Sequence, residues 1–161
     1  MNGRTTVWDD PIEEVKNGKT YFMPCLESHW PLDLVIIMLG TNGLKARFGL
    51  TAFDIAQGVC ALVSTAQHIN LCTSGVAPTA LLLAPPPLGK LTVFAEMFEG
   101  AQAKSGKLGP YYWAIAEERG CAFYDTSTVI ASSDIDGIHF EKDEHAKLGN
   151  ALAGKVREMI G

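Results

Sequence analysis

The sequence has few cysteines, no cluster of basic residues and no long hydrophobic run, and each absence excludes a class of protein. None of its four cysteines stands in a Cys-x-x-Cys pair, so we expect reduced, mostly buried thiols rather than a metal site or a disulfide framework. Because 13 Lys and Arg stand against 18 Asp and Glu, the formal charge is −5, and we expect no nucleic-acid partner. No apolar run approaches the length of a membrane span, so we expect no membrane contact.

What is present is the composition of one globular domain. The chain has 161 residues, of which 47% are hydrophobic and 19% charged, enough for one core and hardly enough for two. We therefore predict a single domain over residues 1–161, with the polar, turn-rich residues 1–20 as a surface loop and residues 21–161 as the α/β core. Residues 1–6 lack the apolar segment of a secretory signal, so we expect a cytoplasmic protein.

The strongest structural signal is the apolar run Val-Ile-Ile-Met-Leu at residues 35–39. The run is too short for a typical helix and ends at Gly40, which predicts a strand over residues 33–39 that is buried on both faces. Thr41 and Asn42 follow directly, at the carboxyl end of the strand, where open α/β sheets bind their ligands. Asn is also an ordinary turn residue, so position alone leaves both interpretations of Asn42 open.

Strands and helices alternate along the rest of the chain. We predict further strands at residues 80–84 and 122–124. The predicted helices are residues 21–29 with Thr20 as the N-cap, 51–68, 91–99, 101–119 with a kink or restart at Gly109-Pro110, and 141–160. This order predicts an α/β domain with a parallel sheet covered on both faces.

An acid and a histidine stand three residues apart just before the last predicted helix. On a loop, the Asp136 carboxylate can turn back, accept a hydrogen bond from one ring nitrogen of His139 and leave the other nitrogen as a general base. The same spacing also occurs where the acid caps a turn and the histidine is merely solvated, so the pair alone does not decide.

In their order and context, these motifs resemble sequence blocks of the SGNH (GDSL-type) hydrolases. Residues 32–42 resemble the third block and residues 136–140 the fifth, and the likeness extends to residues 53–56 and 85–88. The chain is most similar to the bacterial arylesterase and acyltransferase branch of that family. The resemblance implies a three-layer, flavodoxin-like parallel sheet and a Ser-His-Asp triad that hydrolyses small-molecule esters, without a cofactor or a metal.

The resemblance also implies roles for single residues. By position, His139 is the general base and Asp136 its orienting acid. The side-chain amide of Asn42 and the backbone N–H of Gly3 are the implied oxyanion donors. The residues that lie where the family lines its substrate pocket, and for which ordinary loop or packing roles stay open, are Thr41, Lys45 and Ile138.

The chain departs from the family pattern at two points. Gly43 stands where the family usually has Asp after the oxyanion Asn. The first block, a strand followed by Gly-Asp-Ser with the nucleophile, is absent, so we expect a fold truncated at the N-terminus and leave the nucleophile unknown. No Gly-x-Ser-x-Gly elbow replaces it. Ser64 falls on a predicted helix, and Ser74 and Ser105 follow no buried strand.

Three functions therefore remain open. The first is a carboxylic ester hydrolase or acyltransferase that acts on small acyl or aryl esters with an incomplete triad. The alternatives are a catalytically impaired relative that acts as a binding or assembly module, and an enzyme with another nucleophile or a His-activated water. Because the missing first strand would lie beside strand 33–39, we expect that edge to pair in a homo-oligomer or to be covered by residues 1–20.

Overall fold

The computed structural model describes residues 3–69 and 76–161, so Cys72 and Ser74 lie outside the described residues. The α-helices are α1 (Gly18–Ser28), α2 (Ala52–Gln67), α3 (Ala101–Ser105), α4 (Leu108–Arg119) and α5 (Lys142–Ile160). The strands are β1 (Leu34–Ile37), β2 (Thr79–Ala84) and β3 (Ala122–Asp125). Short 3₁₀ turns follow two of the strands, at Thr41–Leu44 and Ala46–Phe48 after β1 and at Thr126–Thr128 after β3.

The three strands form one parallel sheet in the order β1-β2-β3. Ile37 of β1 pairs with Leu82 of β2, which in turn pairs with Phe123 of β3. In a parallel sheet all carboxyl ends lie at the same edge, so the loops after β1, β2 and β3 meet there. The predicted α/β architecture with a parallel sheet is confirmed.

The central strand β2 is buried on both faces. Leu82 belongs to the main core, to which α2 and α4 also contribute, and these two helices contact each other and β2. On the opposite face of β2, Leu81 and Leu83 are also buried. This double burial explains why β2 reads as a continuous apolar run rather than an alternating one.

The first helix begins earlier than the sequence predicts. The side-chain oxygen of Asn17, not Thr20, caps α1 by accepting from the backbone N–H of Lys19 at 3.0 Å and of Thr20 at 3.4 Å. Pro24 consequently lies in the helix interior rather than in its first turn. Strand β1 is also shorter than the predicted 33–39, because its pairing with β2 ends at Ile37.

The prediction of a helix at residues 91–99 is wrong. The segment is a run of turns, in which Ala95 N–H bonds Thr92 O at 3.2 Å and Phe98 N–H bonds Phe94 O at 3.0 Å. Its groups also bond outside the segment, since Met97 O accepts from Ala46 N–H at 2.8 Å. These contacts with neighbouring loops replace the continuous helical ladder that the apolar spacing suggested.

Residues 1–20 are not purely a surface loop. Thr5 and Thr6 are fully buried, and Thr5 N–H bonds Lys16 O at 2.9 Å. The segment also contacts the start of α1, since the Gly18 N–H donates to the Thr5 carbonyl at 3.2 Å. Separately, no helix within the described ranges is both long enough and apolar enough to cross a membrane.

Candidate active site

The loop after β1 is held in place by a buried tyrosine. The Tyr112 hydroxyl donates to the backbone carbonyl of Leu39 at 2.6 Å, and burial raises the pKa of that phenol far above its ordinary value. Gly40 follows with φ +134°, and a Cβ built there would lie 2.1 Å from the Tyr112 Oη. Glycine is therefore required at this bend, which carries the chain into the turn that holds Asn42.

The next glycine in this loop explains one departure from the family pattern. Gly43 is buried, its N–H bonds Gly40 O at 2.9 Å, and a Cβ there would lie 3.1 Å from Ile55 Cγ1. The loop therefore packs its backbone closely against α2, where the carboxylate of an Asp would have little room. Packing takes the place of a side-chain contact in holding the Asn42 loop.

The loop after β3 brings Asp136 against His139. The Asp136 Oδ2 lies 2.6 Å from His139 Nδ1, while its Oδ1 accepts from the backbone N–H of Ile138 at 2.8 Å and of His139 at 2.9 Å. Burial alone would raise the pKa of Asp136, but these hydrogen bonds outweigh it and hold that pKa below its ordinary value. The carboxylate is thus fixed and ionised, and it orients the imidazole.

A backbone contact with the loop after β2 fixes the position of this turn. Gly89 N–H bonds Gly137 O at 2.9 Å, and Gly137 has φ +79° with no room for a Cβ, which would lie 2.6 Å from Lys90 O. Within the turn, Ser133 N–H bonds His139 O at 2.7 Å. The His139 backbone therefore rests on a rigid support, although its side chain is 68% exposed.

These loops line an open cavity of about 180 Å³. Gly3, Asn42 and His139 are among its lining residues. The remaining lining residues are Glu13, Lys45, Phe94, Met97, Phe98 and Ile138. Since pockets for drug-sized ligands span roughly 300–1,000 Å³, this one fits a small acyl group.

The structure resembles solved esterases over almost the whole chain. The native aryl esterase of M. smegmatis matches with a TM-score of 0.96 and 41% identity, over 99% of this chain and 76% of that one. The chain belongs to the SGNH (GDSL-type) hydrolase family. Est24, a carbohydrate acetylesterase from Sinorhizobium meliloti, matches with a TM-score of 0.96 and 40% identity, over 99% of this chain and 76% of that one.

A third SGNH relative extends the comparison. A putative arylesterase from Agrobacterium tumefaciens has a TM-score of 0.88 and 33% identity, and the match covers 99% of this chain and 77% of that one. No family model and no curated protein matches the sequence. The predicted membership of the SGNH family therefore rests on solved structures.

Most of the predicted SGNH site residues lie together. Gly3, Asn42, Lys45, Ile138 and His139 line the cavity, and Asp136 supports His139 from behind. Thr41 is not among the lining residues of this cavity, although its neighbour Asn42 is. The roles of these residues remain predictions.

No nucleophile faces the histidine in the part of the chain that the structure describes. Within residues 3–69 and 76–161, no serine, threonine or cysteine forms a hydrogen bond with the His139 ring. Ser64 lies on α2, and its Oγ is 3.5 Å from Nδ1 of His68. Ser105 is buried, and its Oγ accepts from the Leu88 N–H at 2.9 Å. Across the same described ranges, no cluster of His, Cys, Asp and Glu is suited to a metal ion.

A cluster of charges beside the cavity was missed by the sequence analysis. The side chain of Asp10 is fully buried and contacts the Arg47 guanidinium, with 2.6 Å between Asp10 Oδ2 and Arg47 Nη2. Arg47 Nη2 also lies 3.3 Å from Glu13 Oε1. Burial alone would raise the pKa of Asp10, but bonds from two backbone N–H groups and from Arg47 lower it overall. Asp9-Asp10-Pro11 reads as a turn, and Arg47 is 37 residues away, so no local signal could have shown the pairing.

Proposed function

We propose that this SGNH-family chain supplies the base, the orienting acid and the oxyanion donors for ester hydrolysis or acyl transfer on small acyl or aryl esters. The observation that carries the proposal is the His139–Asp136 pair, 2.6 Å apart, whose ring opens into the same cavity as Asn42 and Gly3. A cytoplasmic location and the preference between water and alcohol as acceptor remain predictions.

In this proposal, the Asp136 carboxylate accepts from Nδ1 of His139, so Nε2 is free to take a proton from an attacking hydroxyl or water. The positive charge that then forms on the imidazole lies beside an ionised carboxylate, which stabilises it. Asp136 keeps its proton-free form because its pKa is lowered by the bonds that it accepts.

The negative charge that develops on the ester carbonyl oxygen needs hydrogen-bond donors to stabilise it. The Asn42 carboxamide and the Gly3 N–H make no hydrogen bond to any residue in the described ranges, and both residues line the cavity. Donors that are held ready in this way are each worth roughly 3 kcal/mol of transition-state stabilisation. Asn42 and Gly3 are therefore the proposed oxyanion donors.

The experiment is the hydrolysis of 4-nitrophenyl acetate by the 161-residue polypeptide. We expect slow turnover above the buffer rate, since His139 can activate a water molecule as general base and the two oxyanion donors remain. Asn42→Ala should lower that turnover by about 10²-fold. A serine-directed phosphonate should leave the polypeptide unlabelled, whereas fast turnover with labelling of one serine would show an in-chain nucleophile and contradict the incomplete triad.

A second candidate function is a binding or assembly module. It is favoured by one observation, the lack of a hydroxyl or thiol at the His139 ring among the described residues. Such a module would bind small esters in the same cavity without turning them over. Turnover at the buffer rate with retained ester binding would support it.

We propose in addition that two copies pair through the free edge of β1. Ile36 is 42% exposed on this edge strand, and beside it runs a groove of about 250 Å³ to which Arg4, Gly18 and Tyr21 contribute. The free N–H and C=O groups of an edge strand can pair with the same strand of a second copy across a two-fold axis.

Light scattering of the 161-residue polypeptide should therefore report a dimer. Ile36→Lys should convert it to a monomer, because the substitution places a charge in the pairing strand. As a control, Val93→Lys alters a residue that is 79% exposed and far from β1 in sequence, and it should leave the dimer intact. A stable monomer in the unmodified polypeptide would contradict the pairing.

A further inference from the structure

One cation in the wall of the cavity has donors that the protein does not use. The Lys45 side chain is only 6% exposed, and its Nζ lies 3.7 Å from Glu13 Oε1 and 3.9 Å from Asp10 Oδ2. Both distances exceed the 2.7–3.2 Å of a hydrogen bond. Among residues 3–69 and 76–161, no acceptor forms a hydrogen bond with this ammonium.

The two nearby carboxylates are already engaged by other cations. Arg47 Nη2 lies 2.6 Å from Asp10 Oδ2 and 3.3 Å from Glu13 Oε1, and Lys16 Nζ lies 3.1 Å from Glu13 Oε2. Both carboxylates therefore lie closer to other cations than to Lys45, which leaves the Lys45 ammonium without a short ion pair among the described residues. A buried charge without close partners is costly, so an incoming anion would gain from filling this position.

The properties of Lys45 agree with an unfilled anion position. Burial, followed by repulsion from Arg47, lowers the pKa of Lys45 below its ordinary value of 10.5, while Glu13 and Asp10 offset only part of this effect. Lys45 lies three residues after the proposed oxyanion donor Asn42 and lines the same cavity. The Lys45 side chain therefore borders the cavity in which we propose that the ester binds.

We propose that the site selects esters whose short acyl half ends in a carboxylate, the half-esters of small dicarboxylic acids, and that Lys45 binds this carboxylate. The proposal rests on the proposed ester-binding function of the cavity. The volume of about 180 Å³ suits an acyl half of a few carbons. A charge-assisted bond from Lys45 gives the selectivity, because a neutral ester of the same length leaves the ammonium without a partner.

The test compares the binding of monomethyl succinate, which is anionic, with that of dimethyl succinate, which is neutral. Amide shifts of Asn42 and Ile138 in the intact 161-residue polypeptide report the binding, so turnover is not needed. We expect the anionic ester to bind at least tenfold more tightly. Lys45→Met, which keeps the length of the side chain, should remove this difference, while Lys107→Met, which alters an exposed lysine ahead of α4, should preserve it.

A second variant tests the charge argument without removing Lys45. Glu13→Gln deletes a competing anion at the cavity, so the preference for monomethyl succinate should increase severalfold. Equal binding of the two esters to the unmodified protein would overturn the charge selectivity and leave the ester site in place. If neither ester shifts the amides of Asn42 and Ile138, the ester site itself is wrong, and this proposal fails with it.

Discussion

Replacing Gly40 with alanine should destabilise the protein by about 3 kcal/mol or more and displace the loop that carries Asn42. The new Cβ would lie 2.1 Å from the Tyr112 Oη and 3.3 Å from Ile55 Cγ2, in backbone with φ +134°. Tyr112 is fully buried and bonds Leu39 O, so it has nowhere to move. The substitution therefore loses stability in two ways, through steric overlap in the core and through backbone strain at an unfavourable φ.

The control is a glycine that has a positive φ but has no neighbouring atom for a new Cβ to overlap. Gly49 has φ +62°, and no atom lies within 4 Å of the position that a Cβ would take, so Gly49→Ala should cost only about 1 kcal/mol. Urea unfolding gives both values. Adding Tyr112→Phe to Gly40→Ala removes the clashing hydroxyl and should recover part of the loss. Equal stability of Gly40→Ala and Gly49→Ala would contradict the proposed role of Tyr112.

Asp10→Asn should also destabilise the fold by about 3 kcal/mol at pH 7. The substitution keeps the shape of the side chain, but it leaves the Arg47 guanidinium, 2.6 Å from Asp10 Oδ2, without its closest full negative charge in a buried cluster. The exposed Asp33 has no such partner among the described residues, and Asp33→Asn should change stability by less than about 0.5 kcal/mol.

The effect of Asp10→Asn should depend on pH in a defined direction. The pKa of Asp10 is lower in the folded protein than the ordinary value of 3.8, so its contribution to stability is fully present above about pH 4. It is lost as the pH falls through the still lower folded-state pKa. Urea unfolding should therefore show a smaller difference in unfolding free energy between the unmodified protein and Asp10→Asn at pH 3 than at pH 7. An equal difference at both pH values would contradict an ionic role for Asp10.

The features of the fold and site that the sequence predicted correctly depend on contacts between residues close together in the chain. The apolar run of β2 and the capping pattern at Thr51 involve neighbouring residues, and Thr51 does cap α2 in a reciprocal pair with Asp54. Asp136 and His139 are three residues apart, so a single turn suffices to join them. In each case the determining contacts lie within a few positions of each other along the chain.

Long-range contacts explain what the sequence did not predict. Tyr112 reaches back 73 residues to Leu39, and Phe94 contributes to the cavity from a segment whose spacing had suggested a helix. Arg47 meets Asp10 across 37 residues. Such pairings depend on how the loops after different strands come together, and no periodicity in a single sequence encodes them.

The most direct test of the account is the rate of 4-nitrophenyl acetate hydrolysis by His139→Ala, measured beside His145→Ala. Both histidines are exposed, but His145 lies on α5 and pairs its ring with Phe140, whereas His139 lines the cavity and bonds Asp136. The account predicts that His139→Ala lowers hydrolysis by about 10²-fold, because the general base is lost, and that His145→Ala leaves it unchanged. Hydrolysis above the buffer rate that survives His139→Ala intact would contradict the assignment of the site.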